Sequence, residues 1–208
     1  LAEGNSLAVI SDAGLPGISD PGEELSAAAR SAGFPVICIP GPCAATTALV
    51  CSGLPSARFC FEGFLPVKGR ERKTRLEAIA AEQRTSVLYE APHRLITLLE
   101  ELEQLCGANR PLQVARELTK RHEQQVGPTI AAALEHFGTH RPQGEFTLVL
   151  GGCPAEAEIE LDDATLLDRM NAAMQTGTSA SSAARQLASE TGISRRRLYG
   201  LIHHNAAD

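Results

Sequence analysis

Leu7-Ala8-Val9-Ile10-Ser11-Asp12-Ala13-Gly14-Leu15-Pro16-Gly17 carries the first signal of the fold. A short apolar run passes into a segment too rich in turn formers to extend it, which predicts a buried strand entering a glycine loop. Ser19-Asp20-Pro21-Gly22-Glu23-Glu24 follows. It supplies a capping side chain, a proline suited to the first helical position and acids in the first turn, so a helix is expected, with Gly33 as its stop. Val36–Ile39 predicts a second strand, ended by Pro40-Gly41-Pro42, and Cys43–Ser52 a small-residue helix stopped at Gly53. Strand, loop and helix, twice over, imply parallel strands joined by right-handed crossovers in an α/β sheet.

Beyond Gly53-Leu54-Pro55-Ser56, which reads as a linker, the pattern continues. Strands are expected at Arg58–Phe64, Thr85–Glu90, Pro111–Glu117 and Glu145–Leu150, and helices at Gly69–Glu82, Pro92–Leu105 and Thr129–Phe137. This makes a second α/β unit over residues 57–152. Gly151-Gly152-Cys153-Pro154 and the acid-rich 155–163 read as an exposed linker. Leu161, Leu166, Leu167, Met170 and Met174 then keep helical spacing, Ser179–Glu190 predicts a second helix, Thr191-Gly192-Ile193 a turn, and Ser194 caps a third helix to about His204. Helix, short glycine turn, helix is a helix-turn-helix outline. The expected organisation is therefore 1–56, 57–152, a linker at 153–163 and a helical appendage at 164–208.

Composition bounds the function. The 208 residues are 43% apolar and 21% charged with no Trp, which excludes collagen-like, disulfide-scaffold and wholly disordered chains. No run approaches the roughly 18 apolar residues of a membrane span, and Leu1-Ala2-Glu3-Gly4 has neither a basic leader nor an initiator methionine. A soluble chain that begins mid-protein is expected. The net charge of −6 divides into −4 over 1–56, +2 over 57–125 and −4 over 126–208. Lys68, Arg70, Arg72, Lys73 and Arg75 form one basic cluster and Arg195-Arg196-Arg197 another. Such clusters are solvated surface or phosphate sites. The six Cys show no C-x-x-C pairing and lie mainly in apolar stretches, which reads as buried free thiols in a reducing cytoplasm, with no zinc site.

Three constellations can carry chemistry. Asp12 with its glycine loop lies at the carboxyl end of a predicted strand, the edge where open α/β sheets bind ligands. It either accepts hydrogen bonds from a ligand amine or ribose, or simply stabilises a turn. Pro40-Gly41-Pro42-Cys43-Ala44 is a second loop at the same edge, which favours a shared pocket. The phosphate-loop pattern is absent, and so is G-x-S-x-G. Tyr89-Glu90-Ala91-Pro92-His93-Arg94 and Arg116-Glu117-Leu118-Thr119-Lys120-Arg121-His122-Glu123 each follow a strand. They are either loops of surface ion pairs or, if two adjacent strands aim them into one cleft, a site where Arg94, Arg116 and Lys120 hold a polyanion and Glu90, Glu117 or His93 manages a proton. The third is the tail, where arginines in a first turn oppose the helix dipole and suit a phosphate contact or an exposed appendage equally.

Taken in order, Val9 to Gly22, Ile39-Pro40-Gly41-Pro42-Cys43-Ala44, Phe61-Glu62-Gly63-Phe64-Leu65-Pro66, Tyr89 to Arg94, Ala115-Arg116-Glu117-Leu118-Thr119-Lys120 and Gly144-Glu145-Phe146-Thr147-Leu148-Val149 form a set. This set resembles the bacterial cytidine 2′-O-ribose methyltransferases of small-subunit ribosomal RNA, a branch of the tetrapyrrole methylase superfamily. The resemblance implies a two-domain α/β tetrapyrrole-methylase-like fold with the first domain incomplete, a helix-turn-helix-like appendage, and S-adenosyl-L-methionine bound between the domains. It assigns cofactor contacts to Asp12, Gly14, Leu15, Cys43, Ala44, Tyr89, Leu118 and Phe146. The chemistry of the loops and tail, set beside this resemblance, makes Arg94, Arg116, Lys120, Arg195, Arg196 and Arg197 the candidate RNA contacts and Glu90, His93, Glu117 and Lys120 the candidate catalytic residues. No metal is implied. The chain departs from the family pattern at Leu15 and Gly17, where Thr and a larger apolar residue are usual, and at Cys43 and Ala91, where Ser is. Roughly the first half of the cofactor domain is expected to precede Leu1, which would leave this piece a poor cofactor binder.

The implied partners are small-subunit ribosomal RNA or the 30S subunit, with no membrane, and a homodimer, common in the superfamily. Two rivals stand beside this reading: carbon methylation of a tetrapyrrole precursor, and a DNA-binding regulator built on the tail. Residues 155–208 carry five arginines against eight acids, a poor footprint for an autonomous DNA binder.

Overall fold

Short apolar strands rich in leucine and valine build the centre of the first unit. The computed structural model describes residues 1–154, 162–175, 177–191 and 193–204, and the chain divides into two compact units, Leu1–Cys153 and Pro154–Asp208. The first unit holds a five-stranded sheet. Its strands are β1 (Phe59–Phe64), β2 (Thr85–Glu90), β3 (Leu112–Arg116), β4 (Gln124–Val126) and β5 (Phe146–Leu150), in the order β1-β2-β5-β3-β4. β1 and β2 are parallel. The pairings β2 with β5, β5 with β3 and β3 with β4 are antiparallel. The sheet is thus mixed, and β5 separates β2 from β3, which the shared-cleft alternative had as adjacent strands.

Alternation along the strands sorts two cores. Leu88, Leu148, Leu150, Leu112 and Val114 face one way and pack with residues of α3 (Arg70–Ala81), α4 (Leu95–Cys106) and α5 (Ile130–Thr139). Val87, Val149 and Ala115 face the other way and meet Ala45, Ala48 and Leu49 of α2 (Ala44–Ser52). Both faces of β2 and β5 are therefore covered, which explains their continuous burial. Between α3 and α4 the buried Arg72 donates from Nε to both carboxylate oxygens of Glu101 (3.2 and 3.1 Å) and from Nη1 to the Pro66 carbonyl (2.9 Å). Thr129 caps α5, its hydroxyl accepting from the Ala132 amide at 3.2 Å. Arg110, also buried, donates from Nε to the Gly151 carbonyl at 2.6 Å and holds the end of β5.

Residues 1–56 depart furthest from expectation. Neither 7–10 nor 36–39 forms a strand, and Ile10, Ile37 and Ile39 are 88%, 85% and 84% exposed. A strand exists only against a hydrogen-bonded neighbour, and among the described residues neither segment has one. α1 is Glu23–Ser31, with no side-chain cap and no buried residue. Ser19 is left-handed at φ 53°, so the cap expected from Ser19-Asp20-Pro21 is not made. Gly33, at φ 80°, terminates the helix as expected. Residues 1–56 and 57–152 share one compact unit. All six cysteines are free, but none is buried: Cys38 and Cys51 are exposed and the rest half-buried. Cys38 lies on the unpaired 36–39 segment and Cys51 on an uncovered part of α2.

The second unit packs α6 (Asp163–Gln175), α7 (Ala180–Thr191) and α8 (Arg195–His204) around Leu166, Met170, Ala183, Ala184, Leu187 and Leu198. The acid-rich 155–161, which contains Leu161, and Gly192 lie outside the described residues. No helix among the described residues is long and apolar enough to cross a membrane.

Candidate functional site

Register builds the site. Because β5 runs antiparallel between β2 and β3, its first residues lie beside the carboxyl ends of both. Phe146 pairs with Glu90 on one side and Arg116 on the other, and Thr147 with Tyr89 and Ala115. Across from this edge stand the 13–20 loop and the first turn of α2. Together they enclose a cleft of about 480 Å3 whose wall includes Gly14, Leu15, Cys43, Ala44, Tyr89 and Leu118. That volume lies within the usual range for a small-molecule site. The two early loops touch: a side chain at Gly14, already at φ 80°, would begin 3.2 Å from the Pro42 carbonyl oxygen.

Tyr89 fastens α2 to the sheet. Its hydroxyl accepts from the Ala45 amide at 3.0 Å, and its ring lies 5.2 Å from Phe61 and 5.5 Å from Phe64. Burial, with the Cys43 sulfur beside it, pushes the phenol up to about 12. Burial also raises the Cys43 thiol, but hydrogen bonds from the Thr46 and Ala45 backbone, the Tyr89 hydroxyl and the Thr46 side chain outweigh it and hold the thiol below its ordinary range. A sulfur at a helix amino terminus is placed for this.

The rim is a charged clamp. Glu117, left-handed at φ 50°, accepts from the Glu145 amide at 2.9 Å and from Lys120 Nζ at 3.2 Å. Lys120 Nζ also donates to Glu145 at 2.9 Å. The Glu145 amide, then Lys120, hold the Glu117 carboxyl below the usual carboxylate range. The Glu145 and Glu117 carboxylates hold the Lys120 ammonium above its own. Gly144, at φ 90°, closes the turn, since a side chain there would begin 2.5 Å from a Glu117 carboxylate oxygen.

Gly14, Leu15, Cys43, Ala44, Tyr89, Glu90, Leu118, Lys120 and Phe146 border the cleft, whereas Asp12, His93, Arg94, Glu117 and Arg116 do not. Asp12 and His93 are exposed. The Glu90 side chain is fully buried and pairs with Arg94 Nη2 at 2.7 Å, and its Oε1 accepts from the Ala91 amide at 2.9 Å. Its Oε2 and Arg94 Nε are buried without a partner among the described atoms. Arg116 Nε donates to the Gln143 carbonyl at 2.7 Å. In the second unit Arg195 and Arg196 are exposed, and Arg197 pairs with Asp163 at 3.0 Å. Sequence reasoning missed Thr119, Gly144, Glu145 and Thr147, all on the cleft wall. The unread strand β4, which makes β3 and its following loop a hairpin, and the central place of β5 were the sources of that gap.

A sheet edge with two glycine-bearing loops facing it across a small-molecule cleft defines a class that the comparisons name. The tetrapyrrole (corrin/porphyrin) methylase profile matches residues 1–134, and the chain belongs to that family. Within it, the chain is 47% identical over 208 residues to the ribosomal RNA small subunit methyltransferase I of Synechocystis, a match covering 100% of this chain and 75% of that protein. A protein of the same name from Haemophilus influenzae is 47% identical over 156 residues, 74% of this chain and 55% of that protein. Among solved structures, the methyltransferase CobJ aligns with a TM-score of 0.56 at 21% identity over 73% of this chain and 66% of that one, a likeness of fold.

Proposed function

We propose that this chain serves S-adenosylmethionine-dependent methylation of small-subunit ribosomal RNA, at the ribose 2′-hydroxyl of a cytidine. The observation that carries the reading is the 47% identity, along all 208 residues, to a ribosomal RNA small subunit methyltransferase I. The cleft chemistry fits the cofactor. Leu15, Leu118 and Phe146 offer apolar walls for an adenosyl group, Asp20 and Glu145 offer carboxylates to a cationic sulfur and ammonium, and the first turn of α2 opens onto the same space.

S-adenosylmethionine supplies a methyl group on a cationic sulfur, and its transfer to oxygen leaves a neutral thioether. The protein's own work is to align the ribose oxygen, exclude water and take the hydroxyl proton. The O–H bond breaks, the O–CH3 bond forms, and the proton passes to a rim carboxylate. Glu145 is the carboxylate on the cleft wall, and Lys120 links it to Glu117 just behind the wall. The buried Glu90–Arg94 pair acts as a positioning element for the Ala91-Pro92 turn. Arg116 and Lys120 meet flanking phosphates, and the exposed Arg195 and Arg196 of α8 add contacts from a helix-turn-helix-like appendage. The 30S subunit as substrate and a homodimeric assembly belong to the same reading.

The test combines cofactor binding by calorimetry with transfer of labelled methyl to ribosomal RNA from cells lacking the complete gene. Methyl incorporation at one ribose, lost in Lys120→Ala and Arg116→Ala while cofactor affinity persists, is expected. Normal transfer by both variants would overturn these assignments.

A further inference from the structure

Two loops that wall the cleft continue into a second groove. Lys120 borders the cleft and Gln124, four residues on, borders the groove; His140 borders the groove and Gly144, four residues on, the cleft. Register fixes how near the two lie. Arg116 pairs with Phe146 of the cleft wall on one side and with Gln124 of the groove wall on the other. The two walls therefore stand two strand spacings, about 10 Å, apart on one rung of the sheet. Arg116 also holds the second loop, donating from Nε to the Gln143 carbonyl at 2.7 Å. The groove lies between β4 and the last turns of α5 and holds about 520 Å3.

One wall of the groove is a fixed pair of rings. His136 and His140 stack 4.4 Å apart with 5° between their planes, and Phe137 meets His136 edge-on at 4.9 Å. Gln124 Nε2 donates to His136 Nε2 at 3.2 Å. His140 Nδ1 donates to the His136 carbonyl at 3.0 Å and lies 2.9 Å from Thr139 Oγ1. A histidine near a helix carboxyl terminus is favoured by the dipole, but that role uses only Nδ1. His140 is exposed, and among the described residues no second ring covers its outer face. The charges nearby divide into spent and unspent. Lys120 binds Glu117 and Glu145, and Glu123 accepts from the Thr119 amide at 2.7 Å. Arg121 and Arg141, one on each connecting loop, are exposed and make no ion pair among the described residues. Glu135 is the one acid on the groove wall, and a carboxylate there suits the exocyclic amine of a base.

We propose that the β4–α5 groove is a second subsite for the substrate RNA, holding the base of a nucleotide that flanks the methylated one against His140, with the phosphates between them on Arg121 and Arg141. The proposal rests on the RNA-methylation reading and names a part of the strand, beyond the target ribose, that the protein grips. Unstacked bases of single-stranded RNA are held by stacking on flat rings, imidazole included, and by hydrogen bonds to their edges. A ring already fixed by its own hydrogen bonds loses little freedom when a base settles on it. The two arginines lie on the loops that join groove to cleft, where a strand occupying both places passes.

Anisotropy of a short fluorescein-labelled single-stranded RNA across a salt series, with the full chain, tests the subsite. His140→Ala should weaken binding about fivefold, and His140→Phe, which keeps a flat ring but loses the Nδ1 bond, should restore it. The double variant Arg121→Ala/Arg141→Ala, altered only at exposed positions, should lower the slope of log affinity against log salt by about 1.4. All three should keep the wild-type affinity for S-adenosylmethionine. Unchanged RNA affinity in His140→Ala and an unchanged slope in the arginine variant overturn the subsite while leaving RNA methylation standing. A loss in His140→Ala that His140→Phe does not restore overturns the stacked base. A wild-type chain that binds no RNA overturns the subsite and the RNA reading together.

Discussion

Cys43 sits at the amino terminus of α2 on the cleft wall, and its surroundings make it more than a packing residue. Hydrogen bonds from Thr46, Ala45 and Tyr89 outweigh burial and favour its thiolate. Alkylation followed residue by residue with mass spectrometry should therefore give Cys43 a pH–rate midpoint below the ordinary cysteine range. Tyr89→Phe removes one donor and should move that midpoint up; no movement would show that the hydroxyl does not reach the sulfur. At the rim, the Glu117 carboxyl is depressed because it accepts from the Glu145 amide and from Lys120. A depressed folded value means the clamp is fully formed above the ordinary glutamate range and is lost as pH falls through the lowered value. Protection of the Glu145 amide, referred to the intrinsic exchange rate at each pH, should fall over that acid interval, and Glu117→Gln should abolish the dependence. Gly144→Ala forces a side chain at φ 90° against Glu117 and should cost about 2 kcal/mol in urea unfolding.

Elements show where local pattern suffices. β2, β5 and α4 were readable because continuous apolar runs or a leucine period dominate them, and their observed limits fall within a few residues of expectation. β4 was not, because Gln124-Gln125-Val126 has no apolar run and becomes a strand only by pairing with β3. The charged run 68–75 looked uniform in sequence, but the tertiary structure splits it. Arg72 points inward to Glu101 and the Pro66 carbonyl, tying α3 to α4. Arg72→Ala should lower stability by about 2–4 kcal/mol, because it leaves Glu101 and that carbonyl without a donor. Lys73→Ala should stay within about 0.5 kcal/mol. Equal losses in thermal or chemical unfolding would contradict the division.

At the scale of the molecule, two units with separate cores imply separable stability. Met170→Ala should destabilise the helical unit by about 2–5 kcal/mol. It should leave the sheet unit's transition, followed through Tyr89 and its phenylalanine neighbours, unchanged; a shared shift would mean that the units unfold together. What local pattern settled were β1, β2, β3 and β5 with α3, α4 and α5 between them and the three tail helices, because hydrophobic period and turn chemistry are local properties. The assembled fold settled the rest: β5 lies between β2 and β3, Glu90 pairs with Arg94, and Glu145 joins Lys120 at the rim. Strand order and charge pairing depend on which distant segments meet. The same dependence left 7–10 and 36–39 without a strand partner among the described residues, since an apolar run becomes a strand only when a partner completes its hydrogen bonds.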